Sequence, residues 1–505
     1  MIVTKNFKEK ASGLNELAPI KPSPIIIDEA VLFNAAEAPV LDEAVIGKFL
    51  NIYEPLLNED YLRRVEITYK KRIMAEKLIE IQADYGDLSS NLILPYEYFL
   101  FDKLHKLALQ QPDLIDIYQR TYCGGLRGEC LAFGLRGFRE AAEFLASHGI
   151  IISGDDSVRI LKERKQRKNA LHKLNQLNPL TTAGAIKNAF RTLASIAGIE
   201  YKAKPLAGLK FNEKGESTVE LDRPNKLLRL EEGVVFDDPS RMIEEVALIH
   251  GFTGTYTHEE VKKGGIINSS TLLKISGEGR DAKFILKHFP ELKNVKWIIL
   301  NVWTFAAKRF NMTPLSRLSR EVEAVRKLHG IGIKTHRITG VVLDERTLVS
   351  EYTEGVPLDK SVEEIAGGKS TDTGDIERYA QVLGKMHKVG LVYGDTKPAN
   401  ALVGDDGIYL NDLEQAVERG DQAWDLAEFL YYSAMLAKEV EGMRLVARSF
   451  LTAYRSENGG RNIARARKLR YLLPFLLVMA PKMMRAVREE LAREAHPARN
   501  DLTAP

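Results

Sequence analysis

Between His387 and Phe429 the chain reads HKVGLVYGDTKPANALVGDDGIYLNDLEQAVERGDQAWDLAEF, and three oxygen-bearing side chains in it are spaced for chemistry. Asp395 lies in the loop GDTKPAN, Asn400 follows five residues later, and Asp412 ends the apolar run IYLND. Between them ALVG and IYL read as short strands joined by the turn Asp405-Asp406-Gly407, a strong hairpin signal. A hairpin brings its ends together, so Asp395, Asn400 and Asp412 are expected at one mouth. One carboxylate there can accept the proton of an attacking hydroxyl. A second carboxylate and an amide oxygen suit a hard divalent cation such as magnesium. Phosphoryl transfer requires that combination.

Other elements must position this cluster. From Gly251 the pattern turns to short β segments: THEEVKKGG, TLLKIS and AKFILKHF read as three strands. The link between the first two, Gly264-Gly265-Ile-Ile-Asn-Ser269-Ser270, is rich in glycine and small polar residues, whose backbone N–H groups can approach phosphates. The helix RLSREVEAVRKLHG carries Glu321 and Glu323, two residues apart and therefore about 200° apart around the axis, so both cannot face one partner. ITGVVLDERTLVSEYTEG reads as a hairpin running into a linker, and DIERYAQVLGKMHKVG as the helix that leads into the Asp395 loop.

D-x-K-P-x-N, then a hairpin, then D-L-E, then W-D-L-A, resembles the catalytic and metal-binding loops of the protein-kinase-like superfamily. The resemblance covers about residues 250 to 450. It implies ATP and Mg2+ as cofactors, Asp395 as catalytic base and Lys397 as a contact to the transferred phosphate. It implies Asn400 and Asp412 as metal ligands, Asp425 as the brace of the catalytic loop, and His387 as a supporting histidine. Lys287, in FILKHF, matches the strand lysine that contacts the nucleotide phosphates. Lys283 and Lys274 are its nearby competitors, and Glu321 is its expected carboxylate partner. Gly264, Gly265, Ser269 and Ser270 fall at the phosphate loop, while Glu351 and Tyr352 fall in the linker that meets adenine.

The departures narrow the expectation. Tyr393-Gly394 replaces H-R, Asp412-Leu413-Glu414 replaces D-F-G, and the gap from Asp412 to Asp425 has no A-P-E and no room for a long activation segment. The pattern resembles the compact branch: Rio-type kinases, the small tRNA-modification-complex kinase of archaea, lipopolysaccharide kinases and aminoglycoside phosphotransferases. The lysine of D-x-K favours a Ser/Thr hydroxyl on protein, so the expectation is an atypical Ser/Thr protein kinase. A small-molecule kinase and an ATP-binding or ATPase regulatory module are the alternatives.

At 505 residues, with 45% hydrophobic and 28% charged, the composition is that of a globular protein with several domains. A net charge of +3 gives no global signature for polyanions. Cys123 and Cys130 are too few for a disulfide framework, which points to a reducing cytoplasmic location. The N-terminus has no apolar signal core. The run YLLPFLLVMAP, Tyr471 to Pro481, is too short to span a bilayer and reads as a buried C-terminal helix. An interfacial helix, flanked by Arg467, Lys468, Arg470, Lys482 and Arg485, is the alternative.

The expected class is α+β, a bilobal protein-kinase-like fold preceded by a mostly helical domain. Residues 1–45 are expected to be loosely structured, and 46–240 mostly helical with a winged-helix-like end. Residues 250–352 form the β lobe and 353–500 the helical lobe. The run Arg159 to Lys168 is basic and suggests nucleic-acid contact, though such a run is more often a solvated helix face.

Overall fold

The computed structural model describes residues 2–4, 11–13, 25–38, 43–110, 114–122, 125–161, 224–263, 269–290, 313–476 and 478–495. The chain forms two compact units, Met1–Asp237 and Asp238–Pro505.

The first unit corrects the expectation for its N-terminus. Ile2–Thr4 and Ala11–Gly13 flank Ile25–Asp28 in a three-stranded sheet. The triplet Ile25-Ile26-Ile27 supplies the central strand, and Ile27 is fully buried. Asp28 then caps the helix Glu29–Glu37, accepting from Ala30 N at 2.9 Å. Further on, helices Glu59–Tyr85, Tyr96–Gln110 and Phe138–Ser147 carry the core. The last of these leads into the strands Ile151–Ser153 and Ser157–Ile160, and Leu94–Pro95 pairs with the second. Arg159, at the start of the basic run, is ion-paired with Glu231. The rest of the basic run, Lys162–Lys168, lies outside the described residues.

In the second unit five antiparallel strands build a sheet: β1 (Tyr256–Lys263), β2 (Ser269–Gly277), β3 (Arg280–His288), β4 (Ile338–Val342) and β5 (Thr347–Glu351). Their order is β4-β5-β3-β2-β1. The β2–β3 hairpin closes through Glu278-Gly279 at φ 55° and 76°, the doubly positive geometry that matches strand twist. On β3, Phe284 and Leu286 are buried on one face, and period-two alternation turns Lys287 to the other. Helix α1 (Pro314–Gly330) starts on a proline, favoured in the first turn, and buries Leu318, Val322, Val325 and Leu328 at helical spacing.

Helices α2 (Leu358–Ala366), α3 (Gly374–Lys388), α4 (Gln422–Leu436), α5 (Val440–Asn458) and α6 (Pro481–Ala495) make the helical lobe. Tyr379, Phe429 and Phe450 stack in its core with ring centroids 4.2–6.2 Å apart. Gly384 lets α3 approach α5, because a Cβ there would meet the Glu457 Cβ at 2.5 Å. The predicted hairpin is present as β6 (Ala401–Gly404) and β7 (Gly407–Leu410).

The run after α5 is not one buried helix. It breaks into short turns, Leu469–Leu472 and Leu473–Phe475, because Pro474 cannot donate to a continuing helix and its ring crowds the preceding turn. Among the described residues no helix is long and apolar enough to cross a membrane.

Candidate active site

The loop before β6 is held from below by α4. Asp425, fully buried in the first turn of α4, accepts the backbone N–H of Tyr393 at 2.7 Å and of Gly394 at 2.9 Å. His387 Nε2 lies 3.0 Å from the same carboxylate, and its Nδ1 lies 2.8 Å from Tyr454 Oη. One turn further along α4, Glu428 accepts Thr396 N at 2.8 Å. Every backbone donor tied down this way costs nothing in unsatisfied polarity, so the loop is fixed rather than merely placed.

Asp395 projects from this loop and is 6% exposed. Lys397 Nζ donates to its Oδ2 at 3.1 Å. The second oxygen, Oδ1, is 2.9 Å from the same ammonium but is buried with no hydrogen bond among the described residues. Burial lowers the affinity of Lys397 for its proton, yet the Asp395 charge outweighs it and raises the lysine pKa. Lys397 is therefore a fixed cation. Asn400 donates through Nδ2 to the Asp395 carbonyl at 2.9 Å, which leaves its amide oxygen as the acceptor end.

The hairpin brings the second acid close. Tyr393 Oη donates to Asn400 O at 2.8 Å and to Asn411 O, while Asn411 N donates to Asn400 O at 2.9 Å. Asn400 and the residue before Asp412 thus share one bonded junction. Asp412 adopts φ 54° and ψ 56°, a left-handed conformation uncommon for a residue with a Cβ. That strain aims its carboxylate at Lys287, whose Nζ donates to Asp412 Oδ1 and to Glu321 Oε2, both at 2.7 Å. Ser270 is directly across the sheet from Lys287.

Glu323 pairs instead with Lys327 at 3.1 Å, Lys283 with Glu354 at 2.8 Å, and Lys274 with Glu259 at 3.5 Å. The lysine and glutamate expected to meet are the pair that meets. Gly264 and Gly265 lie outside the described residues. Ser269 is the first residue of β2. In the linker, Glu351 N donates to Arg337 O and Tyr352 N to Lys283 O, both at 2.8 Å. The N–H groups of these two residues are thus spent within the protein.

Sequence reasoning missed a further pair of charges beside Lys287. Glu414 Oε2 lies 3.8 Å from Lys287 Nζ and 3.4 Å from Arg317 Nη1, and both Glu414 and Arg317 are buried. Arg317 is four residues before Glu321 on α1, so the two share a helix face, the one signal that the sequence offered. His336 Nε2 sits 3.6 Å from Glu321 Oε1. Burial, then Lys287, push the His336 pKa down to about 4. Burial raises the pKa of Glu321 and Glu414, whereas the Lys287 ammonium overcomes partial burial and lowers that of Asp412. The lysine, facing three carboxylates, is raised.

Glu321, Asp412 and Glu414 can each offer an oxygen within 4.8 Å of the others. Lys287 already supplies the cation at that centre, so a metal ion fits better on the open side of Asp412, which is 34% exposed, together with the Asn400 amide oxygen. Those are hard oxygen donors of the kind magnesium prefers.

Over 147 residues the chain is 24% identical to KEOPS complex subunit Bud32 of Pyrococcus abyssi. The alignment covers 28% of this chain and 66% of Bud32, just under two thirds of that relative. No family model matches the chain. Choline kinase from Cryptosporidium parvum aligns over 51% of the chain and 87% of its own, with TM-score 0.27 and 11% identity. Plasmodium vivax ethanolamine kinase aligns over 53% and 87%, with TM-score 0.26 and 12% identity. Scores at that level carry no weight for the acceptor. The second unit has the order of parts that the sequence resemblance implies: five strands with Lys287 on the third, a helix bearing Glu321, and a loop and hairpin bearing Asp395 and Asp412.

Proposed function

We propose that the second unit is an ATP- and magnesium-dependent phosphotransferase. The observation that carries the reading is the pairing of Lys287 with both Glu321 and Asp412, beside a buried Asp395 whose carboxylate has only Lys397 bonded to it among the described residues. In this reading Lys287 holds the α- and β-phosphates and Glu321 holds Lys287. Asp395 Oδ1 orients the acceptor hydroxyl and takes its proton as the oxygen bonds to the γ-phosphorus and ADP departs. Lys397 keeps the Asp395 carboxylate in place and faces the transferred group. Asn400 and Asp412 would hold magnesium, which when bound neutralises phosphate charge. The base would sit against the linker carbonyls near Glu351 and Tyr352, with the phosphates under the Gly264-Gly265 loop, Ser269 and Ser270.

We read the acceptor as a Ser/Thr hydroxyl on a protein, because Lys397 next to the catalytic acid is typical of enzymes that use one. A small alcohol such as a sugar or lipid headgroup is the second reading. It is favoured by the short stretch between Asp412 and α4, which holds only the turn Leu413–Gln415 and the strand Val417–Glu418. A donor of this kind and the cysteine-poor composition fit a cytosolic setting.

The test is transfer from γ-labelled ATP, with magnesium, to separated protein and metabolite fractions, comparing wild type with Asp412→Asn. Label in protein supports the first reading and label in metabolites the second. ATP binding without any labelled acceptor would leave a nucleotide-binding regulatory module.

A further inference from the structure

Residues 461–488, RNIARARKLRYLLPFLLVMAPKMMRAVR, contain eight Arg and Lys and no Asp or Glu, in a chain whose net charge is only +3. Arg465 and Arg470 pair with Asp421. Arg467, Lys468, Lys482, Arg485 and Arg488 have no acidic partner among the described residues. The acids of α6 are engaged elsewhere: Glu489 with Arg444, Glu490 with Arg444 and Arg448, and Glu494 with Arg455. Charge on this helix is thus sorted, with its acids paired to α5 and its bases left over.

The apolar residues of the same stretch are sorted too. Tyr471, Leu472, Phe475 and Met479 are buried, and Phe475 packs against the rings of Trp424, Tyr431 and Tyr432. Leu469, Leu473 and Leu476, at i, i+4 and i+7, are 63%, 47% and 43% exposed, and Val478 is 59% exposed. All four are exposed within ten residues of chain, on the two short turns and the segment that follows them. Beside it a cavity of about 460 Å³ is lined by Arg467, Met484, Arg485, Arg488 and Glu489. Its one carboxylate is already held by Arg444.

We propose that this face docks on an anionic lipid membrane, with Leu469, Leu473, Leu476 and Val478 entering the acyl boundary and the arginines taking lipid phosphates. Aliphatic prongs ringed by unpaired bases are what an interfacial segment needs. A single-stranded nucleic acid would call for aromatic side chains to stack its bases, and the exposed residues here are aliphatic, while a duplex bound through its phosphates would leave those aliphatic side chains without a role. A membrane-facing surface is independent of the phosphotransfer reading, and it would bring any acceptor at the bilayer near the enzyme.

Flotation of the full chain with phosphatidylcholine vesicles, with and without about one third phosphatidylglycerol, tests it. The protein is expected to float with the anionic vesicles only, and less as salt is raised. Arg467→Gln, Lys468→Gln and Arg485→Gln together are expected to lower partitioning on the order of 10²-fold. Leu473→Ser with Leu476→Ser should lower it on the order of tenfold through lost acyl contact. All five positions are exposed, so unchanged unfolding midpoints certify the variants. No flotation, equal flotation on both vesicle types, unaltered flotation of either variant set, or retention of RNA in place of vesicles would each overturn the proposal.

Discussion

Arg317 and Glu414 face each other inside the second unit, Nη1 to Oε2 at 3.4 Å, with side chains 1% and 6% exposed. The pair ties helix α1 to the turn that follows Asp412. Glu321 and Asp412, carried by those two elements, therefore meet at Lys287 through a second connection besides the lysine itself.

Breaking one half of that pair leaves a buried charge uncompensated. Glu414→Leu is expected to lower unfolding free energy by about 3–5 kcal/mol. Arg317→Met combined with Glu414→Leu should recover most of the loss, since neither charge then remains. Urea unfolding of the three variants measures it, and a double variant as weak as the single one would show that the pair is not coupled.

Asp395→Ala removes the proposed proton acceptor without touching the brace of the loop. Turnover should fall at least about 10²-fold, with the unfolding midpoint close to that of wild type. Near-normal turnover would remove Asp395 from the mechanism.

Asp425→Ala acts differently, because it strips acceptors from two buried N–H groups and from His387. Unsatisfied donors cost about 1–3 kcal/mol each, so a loss of several kcal/mol is expected. Amide exchange at Tyr393 and Gly394 should accelerate in step. If those amides stay protected, another group is holding the loop.

His336 gives a pH signature. An unfolded histidine titrates near ~6.5, while burial and Lys287 push this one down to about 4. Below the unfolded value the unfolded chain takes a proton that the folded chain refuses. The stability contributed by the neutral ring is therefore complete above that value and lost progressively as pH falls towards about 4. Roughly 2 kcal/mol should be gone by about pH 5. His336→Gln should flatten this part of the stability curve between neutral pH and pH 5, and an equal slope in both proteins would contradict the assignment.

Magnesium should strengthen ATP binding in wild type and lose that effect in Asp412→Asn. Calorimetric titration with ATP in magnesium and in EDTA checks this without reference to any acceptor. Equal enhancement in both proteins would move the ion away from Asp412.

Local signals carried much of the kinase-like fold. The β6–β7 hairpin was legible because Asp405, Asp406 and Gly407 leave few other conformations. Lys287 was legible because the apolar run Phe284-Ile285-Leu286 precedes it as it does the family's strand lysine; helical geometry said only that Glu321 and Glu323 could not both face it, and the resemblance chose Glu321. Arg317–Glu414 was not, because no periodicity marks an ion pair between residues nearly a hundred positions apart. The N-terminal strands were missed for another reason: three isoleucines make a strand only once chain from elsewhere pairs with them. The half-exposed run around Pro474 misled because hydrophobicity alone does not say which face a helical turn turns inward.

The dozen residues between Asp412 and Asp425 are taken up by one tight turn, a two-residue strand and the first residues of α4. Nothing there is long enough to swing out and back. If the proposed chemistry holds, this stretch offers no segment that could act as a throttle, and control of output would have to enter from elsewhere in the chain or from outside it.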